Sequence, residues 1–388
     1  MDNIKVTETI KNIGVNDKNI TLFESQYVVP HGMAYNSYLI QDEKNVIIDT
    51  VDKVVTEKWY ENINNNLNGE NIDYLIVSHL EPDHGYNIKS LSDKYPDMKI
   101  IGNSMTFKFI KQFFSINNIE ERAIVVKEGD TLNIGKHTLK FIMAPMVHWP
   151  EVMVTYEETE KILFSADAFG KFGTLDVDEN WTCEARRYYF GIVGKYGMQV
   201  QNLLKKLSNI DVKQICPLHG PVLKDNLEYY INKYDIWSSY KSEDEGILIA
   251  YASIHGNTEE AVKKLEKMLE NKGNKKVILR NLVTEDLFEV VEDAFRYDKM
   301  VIAASSYNAE IFPPMEHFLN ALKSRNYQNR KVGIIENGTW APSAAKCMLD
   351  IISKMKDIEV YKNIITIKSK LDEDNIKEFE RLVDELYK

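Results

Sequence analysis

The segment Ser78-His79-Leu80-Glu81-Pro82-Asp83-His84-Gly85 places two imidazoles and two carboxylates within six positions. Imidazole nitrogens and carboxylate oxygens together make a ligand set for a transition-metal cation, and four such groups this close are costly to leave without one. In an extended chain alternate side chains share a face, so His79 and Glu81 are expected to point the same way. Asp83 and His84 are adjacent, must diverge, and suit a second centre beside the first. The plain alternative is a polar strand-to-helix loop with a capping Asp.

The elements that must hold this cluster are legible on either side of it. Asp73-Tyr74-Leu75-Ile76-Val77 reads as a buried strand and Pro82 disfavours a helix interior, which puts the cluster on the loop at the strand's C-terminal end. Upstream, 26–29, 37–40 and 45–50 alternate with turn residues as strands of a sheet, and a helix is expected from about Lys53 to Leu67. Downstream come a strand at 99–102, a helix near Met105 to Phe114, and short strands from Ala123 to Pro145.

With 388 residues, 44% hydrophobic and 28% charged, the chain is long enough for two ordinary cores. Its formal charge of −11 argues against nucleic acid as a partner, since phosphate contacts need a basic surface. No apolar run approaches the ~20 residues of a membrane span, and 1–11 lacks the apolar core of a signal peptide. A cytoplasmic location with no membrane partner is expected. Cys183, Cys216 and Cys347 form no Cys-x-x-Cys pair, so neither a disulfide framework nor a rubredoxin-type iron site can be built from them.

The spacing His-x-Glu-x-Asp-His resembles the His-x-His-x-Asp-His signature of the metallo-β-lactamase superfamily, with a departure at Glu81. Zinc hydrolases of that superfamily usually carry His there. A carboxylate hardens the site, as redox-active di-iron centres require, and the pattern is similar to that of flavodiiron proteins. That resemblance implies further ligands at strand ends: His148 after the strand 139–145, Asp167 after Lys161-Ile162-Leu163-Phe164, and His219 in Cys216-Pro217-Leu218-His219-Gly220-Pro221. His79, Glu81 and His148 are then assigned to one iron, Asp83, His84 and His219 to the other, and Asp167 between them. Two ferrous ions, three carboxylates and one bridging hydroxide make a neutral cluster that can be buried. The segment His31–Tyr38 resembles an early strand of the family, which makes His31 a candidate near the pocket. His31 and Tyr196 are the expected candidates for proton delivery.

Past a polar and aromatic stretch at 225–245, read as a short helix and a linker, the pattern changes. A strand at 246–252, the loop Ser253-Ile254-His255-Gly256-Asn257-Thr258 and an amphipathic helix form a phosphate cradle that needs no Lys or Arg, because backbone N–H groups and the helix dipole supply the positive end. Strands at 276–282, 300–304, 331–335 and 363–367 alternate with helical stretches, as in a doubly wound parallel sheet, where ligands bind beyond the carboxyl ends of the strands. The loops Ser305-Ser306-Tyr307-Asn308-Ala309 and Asn337-Gly338-Thr339-Trp340-Ala341 suit an isoalloxazine ring, and all three loops resemble the flavodoxin domain of flavodiiron proteins. The third departs from the Gly-rich form common there.

The resemblance covers nearly the whole chain. It implies an α/β protein with a metallo-β-lactamase-like αββα sandwich over 1–242 followed by a flavodoxin-like doubly wound parallel sheet over 246–388. It implies an oxidoreductase that uses FMN and an oxo- or hydroxo-bridged non-haem di-iron site to reduce dioxygen to water, nitric oxide to nitrous oxide, or both. The electron donor would be a rubredoxin-like protein or a reductase linked to reduced deazaflavin or NADH. The assembly would be a head-to-tail homodimer or a dimer of dimers. A zinc hydrolase would make no use of the second domain, and a non-catalytic flavin carrier would not need seven ligands.

Overall fold

The computed structural model describes residues 4–273 and 275–388. The chain divides into two compact units, one of Met1–Tyr189 with Met198–Asp235, the other of Phe190–Gly197 with Ile236–Lys388. This division falls earlier than 242, and the stretch read as helix plus linker has little free chain in it. A helix runs over Leu227–Ser238 and the next strand already begins at Asp244. The segment 190–197 joins the second unit because the Tyr240 hydroxyl donates to Gly194 O at 2.7 Å and accepts from Gly197 N at 3.1 Å. Phe190 also stacks on Phe295 with ring centroids 3.9 Å apart.

The first unit is built on two sheets. One has seven strands, with Tyr38–Ile40, Val46–Ile48, Tyr74–Ile76 and Lys99–Gly102 as consecutive neighbours, and the other has five, from Thr131–Asn133 to Gln214–Cys216. Ile10, Tyr38, Ile40, Val46, Ile48, Ile76 and Ile101 from the first meet Leu139, Phe141, Met153, Ile162, Phe164 and Cys216 from the second in one buried apolar layer. Most are aliphatic or aromatic residues that fit a pleated surface, and their removal from water supplies the main driving force for the sandwich. Helices Thr56–Leu67 and Ser104–Phe113 occur close to where the apolar periodicity puts them.

The second unit has a parallel sheet in the order Lys276–Asn281, Asp244–Ala252, Tyr297–Tyr307, Gln328–Asn337, with Lys356–Val360 and Ile365–Ile367 both alongside the last. The order reverses at the first strand in sequence, which makes the end of Asp244–Ala252 a switch point. The strand Lys356–Val360 has no counterpart in the sequence reading. Its residues Lys356-Asp357-Ile358-Glu359-Val360 are polar enough to pass for a surface loop. Helices Asn257–Lys272 and Glu373–Leu386 cover one face through Val262, Leu265, Leu269, Phe379, Leu382 and Leu386. Among the described residues, no helix is long and apolar enough to cross a membrane.

Candidate functional site

The expected ligands gather at one end of the two sheets of the first unit. Pro82 occupies the first position of a one-turn helix, Pro82–Gly85, with Glu81 just before it, so the cluster is extended through Glu81 and helical after it. That turn corrects the expectation that Asp83 and His84 diverge. The His84 imidazole reaches back to within 3.4 Å of Asp83 Oδ2. His148 lies in the loop after Thr138–Met143, Asp167 in the loop after Ile162–Phe164, and His219 in the loop after Gln214–Cys216.

These loops are tied to one another by backbone bonds. Leu218 N donates to Ala166 O at 2.9 Å and Met153 N to Ser78 O at 3.1 Å. Asn36 Nδ2 donates to Pro217 O and Gly220 O, both at 2.8 Å, and the Tyr38 hydroxyl donates to Pro217 O at 2.7 Å. Gly220 has φ of 83°, and a Cβ there would lie 2.6 Å from Lys171 Cγ, so the turn after His219 is reserved for glycine. Ala166 and Phe169, on either side of Asp167, take φ of 50° and 67°, disfavoured backbone of the kind that concentrates where geometry is imposed by function.

Two groups of side chains result. His79, Glu81, His148 and Asp167 form one, and Asp83, His84 and His219 the other. Glu81 Oε2 stands 3.2 Å from His79 Nε2 and 3.0 Å from His148 Nε2. Asp167 reaches both groups, with Oδ2 3.1 Å from His148 Nε2 and Oδ1 3.2 Å from His84 Nε2. All four imidazoles turn Nε2 inward. The other ring nitrogen is anchored in two of them: His79 Nδ1 meets Glu151 Oε1 at 2.8 Å and His219 Nδ1 meets Ala34 O at 2.8 Å, which fixes each tautomer. Burial opposes charge on His79, yet Asp167, Glu151 and Glu81 outweigh it and raise its pKa well above the usual range. His148 rises to about 9 in the same way, against burial, through Asp167 and Glu81. Glu81 and Asp167 are held below the usual carboxylate range by the imidazoles around them, despite burial.

Such mutual stabilisation of buried opposite charges is what a cation replaces when it takes the place of the protons. Both oxygens of Asp83 and Oδ1 of Asp167 are buried and accept no well-aligned hydrogen bond among the described residues. His84 Nε2 and His219 Nε2 face each other 3.0 Å apart, a contact between lone pairs unless a proton or a metal sits with them. Nitrogens and carboxylate oxygens in two adjoining groups that share one carboxylate fit a pair of iron ions.

In the second unit, a cavity of about 480 Å³ opens at the carboxyl ends of the parallel strands. It is lined by Ser253, Ile254, His255, Asn257 and Thr258, by Ser305 to Ala309, and by Asn337 to Ala341. Gly256, at φ of 91°, precedes the helix Asn257–Lys272 and leaves its first N–H groups facing the loop. Hydroxyls, amides and those N–H groups suit a phosphate and a sugar chain, and Tyr307 and Trp340, 45% and 91% exposed, offer ring faces. The neutral lining and the size fit FMN.

Residues 33–220 match the family model for the ODP family beta lactamase and residues 248–383 that for a flavodoxin domain. The chain is 27% identical to the flavo-diiron protein of Clostridium acetobutylicum over 97% of both chains. The chain belongs to the flavodiiron protein family. It is 29% identical to the anaerobic nitric oxide reductase flavorubredoxin of Escherichia coli, over 88% of this chain and 73% of that one. Rubredoxin oxygen:oxidoreductase of Desulfovibrio gigas shares its fold, with a TM-score of 0.91 over 98% of this chain and 97% of that one at 24% identity. The metallo-β-lactamase-like and flavodoxin-like folds, FMN, the iron pair and the oxidoreductase class therefore stand together.

Within this flavodiiron chain, sequence reasoning missed several contributors. Glu151 is fully buried and accepts from Leu80 N at 2.9 Å as well as from His79. It follows His148 by three positions, and an acidic residue inside an apolar run was the available signal. Asp49, at φ of 54°, accepts from Ser78 N at 2.7 Å and His79 N at 3.2 Å. Tyr188 packs on His219 at 5.5 Å between ring centroids, and its buried hydroxyl has no partner among the described residues. Ser369 lines the flavin-sized cavity and pairs with Thr339 through their hydroxyls at 2.7 Å. His31 has an exposed side chain, and Tyr196 lies in the second unit, so neither stands among the metal-binding groups.

Proposed function

We propose that this protein reduces dioxygen to water, nitric oxide to nitrous oxide, or both. The observation that carries the reading is Asp167, one oxygen beside His148 and the other beside His84 of the neighbouring group, in a chain that also holds a flavin-sized pocket. The iron pair supplies redox equivalents and a template for two substrate atoms, and FMN supplies stored electrons. His79, Glu81 and His148 would hold one iron and Asp83, His84 and His219 the other, with Asp167 within reach of both groups. Glu151 orients His79, and Tyr188 packs its ring against His219. Ser253 to Thr258 hold the FMN phosphate, while Ser305 to Ala309 and Asn337 to Ala341 hold the ring. The relatives support both substrates: one is named for nitric oxide reduction and another for oxygen reduction with rubredoxin.

A rubredoxin-like protein, or a reductase linked to deazaflavin or NADH, supplies electrons, and the protein works in the cytoplasm. The metal unit comprises 1–189 and 198–235 and the flavin unit 190–197 and 236–388. The chains pair head to tail as a dimer, or a dimer of dimers, so that the flavin loops of one chain cover the metal pocket of its partner. Apolar side chains left open on both units, Leu22, Val28 and Tyr86 on one and Ile254, Tyr307 and Trp340 on the other, support that pairing. Metal analysis with a visible spectrum, followed by oxygen and nitric oxide electrode assays with a chemically reduced donor, tests the reading. Zinc in place of iron, or iron and flavin with no consumption of either gas, would end it.

A further inference from the structure

Among the described residues, no Lys, Arg, Asp or Glu lines the cavity that fits FMN. A fixed charge lies one layer behind it. Glu336, 7% exposed, sits near the end of the strand Gln328–Asn337, immediately before the cavity residue Asn337. Its carboxylate accepts from Ala345 N at 2.9 Å through Oε2 and from the Thr366 hydroxyl at 2.8 Å through Oε1. Both oxygens act as acceptors, as those of an ionised carboxylate do. Ala345 belongs to the first turn of the helix Ala344–Ile352. The two N–H groups before it, of Ser343 and Ala344, donate to Ser306 Oγ at 2.8 and 3.2 Å, and Ser306 lines the same cavity. The positive end of this helix is therefore closed by a cavity hydroxyl on one side and by a buried carboxylate on the other. A helix end carries about half an elementary charge, so one full negative charge bonded to it reverses the sign. The other carboxylates of these loops are weaker sources of field. Glu259 Oε1 pairs with Lys263 Nζ at 2.5 Å and Glu310 is exposed, so a partner screens one and water the other.

We propose that Glu336 holds down the reduction potential of the bound FMN by placing a fixed negative charge behind the loops that hold the flavin ring. This rests on the function proposed above, in which FMN stores electrons for the iron pair. Full reduction adds two electrons and one proton to the isoalloxazine, which gains one negative charge. The electrons come from the external donor and the proton from water, and the Glu336 carboxylate is not consumed. A like charge nearby disfavours the charged form of a group, and charge beside the ring is one of the means by which a protein tunes a flavin. The cavity lining offers no Lys or Arg to offset it. Without Glu336, the positive helix end behind Ser306 would act in the opposite direction and favour the reduced ring. A lower potential makes the reduced cofactor the better electron donor. Glu336 is buried within its own unit, so the charge stays in place when a partner covers the loops.

The test uses the full chain loaded with iron and FMN and reads the two-electron midpoint potential of the flavin by spectroelectrochemical titration. Glu336→Gln keeps an acceptor for Ala345 N and a partner for the Thr366 hydroxyl but removes the charge. It is expected to favour reduced over oxidised FMN by roughly tenfold, a rise of about 30 mV for a two-electron couple. Glu336→Met, which removes the charge with a side chain of similar length, should move the potential in the same direction. Thr366→Val withdraws one hydrogen bond and keeps the charge, and it should leave the potential at the parent's value. A potential in either charge-removing variant that matches or falls below the parent's overturns the inference. So does a Thr366→Val shift as large as theirs, since hydrogen bonding and not charge would then set the potential. Loss of FMN from both Glu336 variants overturns it as well, because Glu336 would be a support of the loop. All three results leave the oxidoreductase reading intact. A parent chain that takes up no FMN overturns the cavity assignment and the inference together.

Discussion

Replacing Glu151 separates what holds the metal centre from what merely lies near it. One carboxylate oxygen, Oε1, receives both the His79 ring N–H and the Leu80 backbone N–H, and the residue is fully buried. Glu151→Gln keeps an acceptor oxygen but removes the charge that makes His79 a stronger donor to metal. Outer partners of this kind typically contribute about 10- to 100-fold in metal affinity, or about 1.4–2.8 kcal/mol at 1.4 kcal/mol per tenfold. Glu151→Ala removes the acceptor as well and leaves two buried donors unpaired, at about 1–3 kcal/mol each. The Ala variant is therefore expected to lose roughly 2–6 kcal/mol of apo-protein stability in addition to iron affinity. Denaturant unfolding of the apo-protein measures the first quantity, and competition for ferrous ion with a coloured chelator the second. FMN affinity should not change, since the cavity that fits it is lined by the second unit alone. If the Gln variant holds iron within about threefold of the parent, well short of the expected range, the carboxylate does not tune His79 and the reasoning fails.

Asp167→Ala is expected to abolish turnover and deplete iron while FMN remains bound, as metal analysis and the flavin spectrum will show; retained iron with full activity would contradict the bridging assignment. Asn257→Asp should weaken FMN binding by roughly 1–3 kcal/mol through repulsion near the phosphate, read as a flavin dissociation constant. Arg330 is buried, and its guanidinium donates to the backbone carbonyls of Tyr240 and Tyr297, both at 2.8 Å, and of Phe295. Arg330→Met should cost about 3 kcal/mol or more of stability through unpaired carbonyls, visible in unfolding of the second unit and absent from iron content. Mixing a chain altered at Gly256 and Asn257 with one altered at His84 and Asp167 should restore activity through heterodimers with one complete pair of sites. Verified heterodimers that stay inactive would rule out pairing between chains.

Every member of the two side-chain groups that the fold brings together was already singled out in the sequence. Metal chemistry demands particular residue types, and His79 to His84 lie so close that their spacing is local. His148, Asp167 and His219 were implied by the family resemblance, each at the end of an apolar strand, and the flavin loops were marked by strand, small-residue turn and helix in succession. These signals are one-dimensional because they depend on a few neighbouring residues. Tertiary structure alone decided the rest. Asp49, Glu151 and Tyr188 come from separate stretches of chain and acquire meaning only when sheet packing brings them against His79 and His219. The same holds for Ser369 against Thr339, for 190–197 held to the second unit by Tyr240, and for Phe23, whose ring rests on His219. Burial and hydrogen bonding between distant segments leave no periodicity in the chain, so the residues that orient and serve a site are legible only once the chain has folded around it.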